Sequence, residues 1–180
     1  MIDAAKAGFR AHGMVATGFT EVLEASGAAR GAIYHHFPGG KEELAAAVVT
    51  STGDNIEAAL RALFAGSPSP TQALATAVEL VAAAVDERAD FGCAVAPAVL
   101  EAGGSAAVLQ AADDAFGRWQ AAIHDGLGGE ADGADLAALV VAAVEGALVL
   151  SRAAGSSEPV RRVGRALSAV VAGGLKPAAG

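Results

Sequence analysis

The sequence predicts an all-α fold of about nine helices. Apolar residues fill 53% of the 180 positions but aromatics only 4%, so the apolar content is mostly alanine, leucine and valine. Alanine and leucine favour helices, and their long stretches lack the period-2 alternation of half-buried strands. Glycine and proline clusters, as at Pro38-Gly39-Gly40, Gly66 to Pro70 and Gly103-Gly104, cut the chain into helix-length pieces.

Taken in order, Asp3 to His12 reads as a first helix. It has Ala4, Ala7, Phe9 and Ala11 available for burial, and Lys6 and Arg10 four residues apart on one face. Gly13 ends it. Thr17 is placed to cap a second helix, Gly18 to Ala25, on which Phe19, Val22 and Leu23 recur at helical spacing. After the break at Ser26-Gly27, a third helix over Ala28 to Phe37 turns Ile33 and Phe37 one way and Arg30, Gly31, Tyr34 and His35 the other. Two short helices joined by a glycine-containing turn describe a helix-turn-helix.

Lys41 to Phe64 predicts one long helix, with Glu42 and Glu43 in the first turn, where the helix dipole favours carboxylates. Further helices are predicted over Thr71 to Arg88 (with a stripe of Leu74, Val78, Val81 and Val85), Pro97 to Ala102, Ser105 to Leu127, Asp135 to Ala154 and Glu158 to Val171. The most apolar run, Leu136 to Leu150, contains Glu145 and is shorter than the roughly 20 residues a bilayer-spanning helix needs. It reads as a helix buried on most sides, and no membrane partner is expected. The absence of a basic-apolar leader predicts a cytoplasmic protein. The single Cys93 rules out an intrachain disulfide.

The net charge of -8 does not by itself suggest a nucleic-acid partner. Residues 1–46 hold four basic and five acidic side chains; the rest holds eight and fifteen. A DNA-binding reading must come from local arrangement.

That arrangement lies in Gly31-Ala32-Ile33-Tyr34-His35-His36-Phe37, followed by Lys41-Glu42-Glu43-Leu44. The stretch Thr17 to Leu44 resembles the DNA-binding segment of the tetracycline-repressor (TetR) family. Gly92-Cys93-Ala94-Val95-Ala96, the pair Phe116 and Trp119, and Glu145-Gly146-Ala147-Leu148 extend the likeness downstream. The Phe-Pro-Gly-Gly-Lys loop is similar to that of a branch that includes regulators of drug-resistance and efflux genes. There are departures. Family members commonly have a longer first helix and a basic arm. Gly18 stands where a hydroxyl residue is common, Ala29 where serine or proline is, and Leu23 where a small alanine is.

The resemblance implies a helix-turn-helix DNA-binding domain at residues 1–46 and a ligand-binding and dimerisation domain at 47–180. It implies a ligand-responsive regulator, a repressor that binds a pseudo-palindromic double-stranded operator as a homodimer and is released by a small lipophilic effector. Arg30 is the side chain able to fork onto guanine O6 and N7. Gly31 and Ala32 let the backbone approach DNA, and the Ala32 methyl fits a thymine methyl. In the family, Tyr34 and His36 face phosphates; His35 points outward, toward a base or a phosphate. Lys41 offers an ammonium beside exposed helix N–H groups, and Thr17 can reach the other strand's backbone. Plainer readings compete: Tyr34 packed on the first helix, His36 bonded to its own backbone, Lys41 and Arg30 as solvated charges.

The last two helices are the implied dimer interface, through Leu139, Ala143, Gly146, Ala147, Leu150, Leu167 and Val170, where small residues permit close helix approach. The implied effector pocket draws on Val81, Phe91, Val95, Leu100, Phe116, Trp119, Ile123, Val140 and Glu145. Trp119 can be core or a clamp for an aromatic ligand. Glu145 can pair with Arg152 or Arg118, or bind the ligand. Cys93 reads as a small buried residue or a redox sensor. No nucleophile–base pair, metal-spaced cluster or phosphate-cradling glycine motif is present, so neither an enzyme nor a cofactor is expected. A helical ligand-binding dimer without DNA binding is the rival reading.

Overall fold

The computed structural model describes residues 1–29, 31–88, 91–129 and 133–173. Among them every regular element is a helix: α1 (Ile2–His12), α2 (Phe19–Ser26), α3 (Ala32–His36), α4 (Lys41–Gly66), α5 (Pro70–Glu87), α6 (Val95–Leu100), α7 (Ala106–Gly126), α8 (Gly133–Ala154) and α9 (Glu158–Gly173). Glycine and proline set most of the ends. Ser69 caps α5 by accepting from the Gln72 N–H, with Pro70 at the first helical position. Gly66 continues α4 and Pro70 opens α5, so the loop expected from Gly66 to Pro70 shrinks to Ser67-Pro68-Ser69.

By contacts the chain divides into two compact units, Met1–Ile56 with Gly92–Arg118 and Glu57–Phe91 with Trp119–Gly180. The linear division at residue 46 follows the motif. The boundaries of the compact units instead fall within α4, after Ile56, and within α7, after Arg118.

In the first unit Phe9, Val22, Ile33, Leu44, Val48 and Val49 are buried, together with Val95, Ala98 and Val108. α1 turns Ala5, Gly8 and Phe9 inward, while Ala7 is exposed. Lys6, expected on one face with Arg10, lies in the core, while Arg10 is half-buried. The Lys6 Nζ donates to the Ser51 hydroxyl at 2.8 Å, and Asp3 lies 3.7 Å away. A lysine enters such a core only with its ammonium bonded.

The second unit packs α9 on both α5 and α8. Leu74, Val78, Ala82 and Val85 form the buried stripe of α5, with Ala82 taking the place expected for Val81. A Cβ at Gly164 of α9 would collide with Val78, so glycine lets the two helices approach. Arg161 fastens the same pair: its Nη2 lies 2.9 Å from both Glu79 and Asp86, and Nη1 donates to Ser157. Hydrogen bonds from Ser157 and Arg161 hold the Asp86 carboxyl below the usual aspartate range.

A carboxylate depressed in the folded state adds stability above its ordinary pKa and loses it as pH falls through the folded value. Arg161→Met is therefore expected to lower stability slightly near pH 7 and progressively less on acidification to about pH 3. Urea unfolding at the two pH values checks this through the narrowing gap between variant and parent.

α8 is 22 residues long, longer than the apolar run read from the sequence, and by length and composition it could cross a bilayer. It extends past that run because residues 133–135 and 151–154 continue the helix. Leu136, Val140, Ala147, Leu148 and Ser151 face its own unit, whereas Leu139, Val149 and Leu150 are exposed.

Candidate nucleic-acid interface

Local backbone chemistry builds the interface. α2 ends at Gly27, whose φ of 67° places it in the left-handed region. The N–H groups of Gly27 and Ala28 bond to the carbonyls of Glu24 and Leu23 at 3.3 and 3.2 Å, a glycine-terminated helix end. This turn uses Ala28, and α3 begins at Ala32, four residues later than expected. α3 is thus only about one and a half turns long. Ile33 is fully buried and Phe37 nearly so, and these two anchors clamp the short helix against the first unit's core.

Clamping one side leaves the other open. Gly31, Tyr34, His35 and His36 are exposed, Tyr34 to 67%, and Ala32 is half-buried. The ring of Phe19 on α2 meets Tyr34 edge-on, with centroids 5.9 Å apart and planes at 86°, so the phenol stands on α2 rather than on α1. His35 and His36 are themselves edge to face at 5.4 Å. Between α2 and α3 runs a groove of about 590 Å³ lined by Phe19, Leu23, Glu24, Ala28 and Tyr34 among others. Arg30 lies outside the described residues.

Two expected contact residues have partners within the chain. Thr17 is 2% exposed; its hydroxyl donates to the Gly13 carbonyl at 2.8 Å, and a Cβ on Gly8 would meet its side chain. It locks the α1–α2 turn and neither caps α2, whose N-cap is Gly18, nor presents itself to a second strand. The Lys41 Nζ donates to the Val15 carbonyl at 2.6 Å, which still leaves ammonium protons for another acceptor. Beside it, Glu43 reaches back to accept from the Gly39 N–H at 2.7 Å, and Glu42 accepts from the Ser105 hydroxyl at 2.8 Å. Local sequence reading missed the partners of Lys6, Glu42, Ser105 and Glu101, because each bond spans a long chain separation.

The remaining candidates lie along both units. In the first, Val95 is buried and Phe116 half-buried, while Leu100, ending the six-residue α6 on its outer side, is 86% exposed and no part of an interior. In the second, Trp119, Ile123 and Val140 are buried, and Val81, Phe91 and Glu145 are half-buried. Arg118 pairs with Asp54 at 3.0 Å. Cys93 is half-buried and its sulfur accepts from the Val95 N–H at 3.3 Å. On α8 and α9, Leu139, Gly146, Leu150 and Val170 are exposed and Ala143 is half-buried. Ala147 and Leu167 instead pack into their own unit, because they sit on the inner faces of their helices. Among the described residues no group of three or more His, Cys, Asp or Glu could hold a metal ion.

Fold and interface together define a helix-turn-helix DNA-binding protein with a helical C-terminal region. Residues 1–48 match the bacterial regulatory proteins of the tetR family, and residues 70–166 match the C-terminal domain of LmrA/YxaF-like transcriptional regulators. An HTH-type transcriptional regulator of Mycobacterium tuberculosis (strain H37Rv) is 32% identical over 187 residues, covering 93% of this chain and 90% of the relative. The HTH-type transcriptional regulator LmrA of Bacillus subtilis is 24% identical over 172 residues, covering 91% and 90%. The crystal structure of a TetR transcriptional regulator from Legionella pneumophila shares the fold with a TM-score of 0.83 at 21% identity, covering 93% of each chain. The chain belongs to the TetR family of transcriptional regulators; it is a regulator and not an enzyme.

Proposed function

We propose that the protein is a ligand-responsive repressor that binds a pseudo-palindromic operator as a homodimer in the cytoplasm and leaves it when a small lipophilic effector binds. The observation that carries this reading is the outward edge of α3: Tyr34, His35 and His36 stand in solvent while Ile33 and Phe37 hold the helix from behind. Tyr34 and His36 donate to phosphates and set the register, and Gly31 and Ala32 approach the bases. Lys41 adds an ammonium at the start of α4, and Arg30 reads guanine. Few cations per subunit mean a modest salt dependence, about three to five phosphates each, and two half-sites bound together compensate.

The homodimer reading draws on the exposed α8 stripe of Leu139, Gly146 and Leu150, with Ala143 within the same stripe and Val170 on α9. Leaving such apolar area in water is costly, and a twofold-related copy of the same face covers it. The effector sits among the helices of the C-terminal region, with Trp119 as its aromatic wall, and must bind the DNA-free state more tightly to shift the population. The Phe37-Pro38-Gly39-Gly40-Lys41 loop supports placing the protein among the regulators of drug-resistance and efflux genes.

The test is capture of genomic fragments by the purified protein, followed by sequencing and fluorescence anisotropy on the enriched sites. Enrichment of an inverted repeat with half-sites one helical turn apart, or a multiple of it, is the expected result. No enrichment above input, in a protein that still forms dimers, would favour a helical ligand-binding dimer without DNA binding, a reading the net charge of -8 supports.

A further inference from the structure

We propose that Glu101 is a positioning residue for DNA binding, acting on Lys41 through the main chain of Val15. The inference rests on the reading of Lys41 as a phosphate ligand. Val15 lies in the turn between α1 and α2, and Glu101 caps the end of α6, which packs on α1 within the same compact unit. The Val15 N–H donates to Glu101 Oε2 at 2.6 Å, and the Val15 carbonyl accepts from Lys41 Nζ at 2.6 Å. One residue is thus gripped from both sides, by a carboxylate on its N–H and by an ammonium on its carbonyl.

The surroundings fit the carboxylate. Gly13, at φ 86°, leaves room beside it, and a Cβ there would collide with Glu101. Four residues on, buried Ser105 donates to Glu42 in the first turn of α4 at 2.8 Å. The turn between α6 and α7 is therefore fastened to the α1–α2 turn at residue 101 and to the start of α4 at residue 105. Lys41 lies between those two attachments in the bonding chain. Releasing Glu101 frees the Val15 carbonyl to move, and the long lysine side chain regains the rotamers that the bond removes.

Charge and position make opposite predictions. A carboxylate in the compact unit that carries α3 repels phosphates, so by charge alone its removal tightens binding. By positioning, its removal weakens binding.

The experiment measures operator affinity of the full chain by anisotropy for Glu101→Ala, Glu101→Gln, Lys41→Met and the double variant Glu101→Ala with Lys41→Met. Hydrogen exchange at the Val15 amide is followed in parallel, with circular dichroism as the folding control. Glu101→Ala is expected to weaken binding about tenfold and to speed exchange at Val15. Glu101→Gln, whose amide oxygen accepts the same bond, is expected to stay within about twofold of the parent. In the Lys41→Met background the alanine change adds little, as coupled residues do in a double-mutant cycle.

Tighter binding by both Glu101 variants, or full additivity with Lys41→Met, overturns the proposal. So does parent-like affinity for Glu101→Ala. If the parent protein binds no DNA, the proposed function fails and this inference fails with it. If the parent binds its operator and only the Glu101 variants behave otherwise than expected, the proposed function stands and this inference alone is lost.

Discussion

Glutamate at both Leu139 and Leu150 is expected to turn the proposed homodimer into folded monomers and to abolish operator binding with it. Both leucines are on the outer side of α8, 47% and 58% exposed in the single chain, so about half of each is left for a partner to cover. Covering the exposed half of a leucine contributes about 1 kcal/mol, and a twofold axis counts each substitution twice. A carboxylate sealed in an apolar interface costs several kcal/mol more unless it finds a partner. The dimer dissociation constant should therefore rise by at least about a thousandfold. Sedimentation velocity at micromolar concentration checks the mass, and circular dichroism checks that helix content is kept. A parent protein that sediments as a monomer, or a double variant that remains a dimer, removes the interface reading. Ala147 and Leu167 are the contrasting controls: both are buried within the subunit, so enlarging either should lower its melting temperature.

Removing the Tyr34 hydroxyl, in Tyr34→Phe, is expected to weaken operator binding by about a hundredfold or more without changing its salt dependence. The phenylalanine ring can still meet Phe19 edge-on, so α3 keeps its place. What is lost is one charge-assisted hydrogen bond to a phosphate per subunit, about 1.5–3 kcal/mol each, and the operator is gripped twice. A hydroxyl displaces no counterion, so the slope of log affinity against log salt stays constant. Lys41→Met makes the comparison, since losing an ammonium should reduce that slope by about one per subunit. Anisotropy across a salt series separates the two variants. If Tyr34→Phe binds like the parent, the exposed phenol is a packing residue on Phe19 and the phosphate contact is lost from the account.

How far the sequence could be read depended on the range of the forces involved. Helix positions follow from short-range signals, and the breaks at Gly13, Gly27, Pro38 to Gly40 and Gly103-Gly104 all fall between helices. Ends were less legible. α3 starts at Ala32 rather than Ala28 because the capping bonds of Gly27 and Ala28 to Glu24 and Leu23 finish α2 first, a choice made by backbone geometry that several sequences satisfy. Thr17 shows the same limit at a side chain. A hydroxyl before a helix reads as a cap, but the bond it makes is to Gly13, and its methyl side faces Gly8 on the preceding helix.

Composition and local pattern determined that this chain is helical, where most helices lie, and that a short third helix carries Tyr34 and His35 on its outer edge, to which the family resemblance added His36. Those features depend on neighbours within one or two helical turns. Only the tertiary structure decided that Lys6 is buried on Ser51, that Glu101 and Lys41 meet at Val15, that Thr17 faces inward and Leu100 outward, and which side of α8 stays bare. Each of these depends on which distant segment packs alongside. A bond between residues 45 or 86 positions apart exists only after the chain has closed around it, and no periodicity in the sequence marks its two ends.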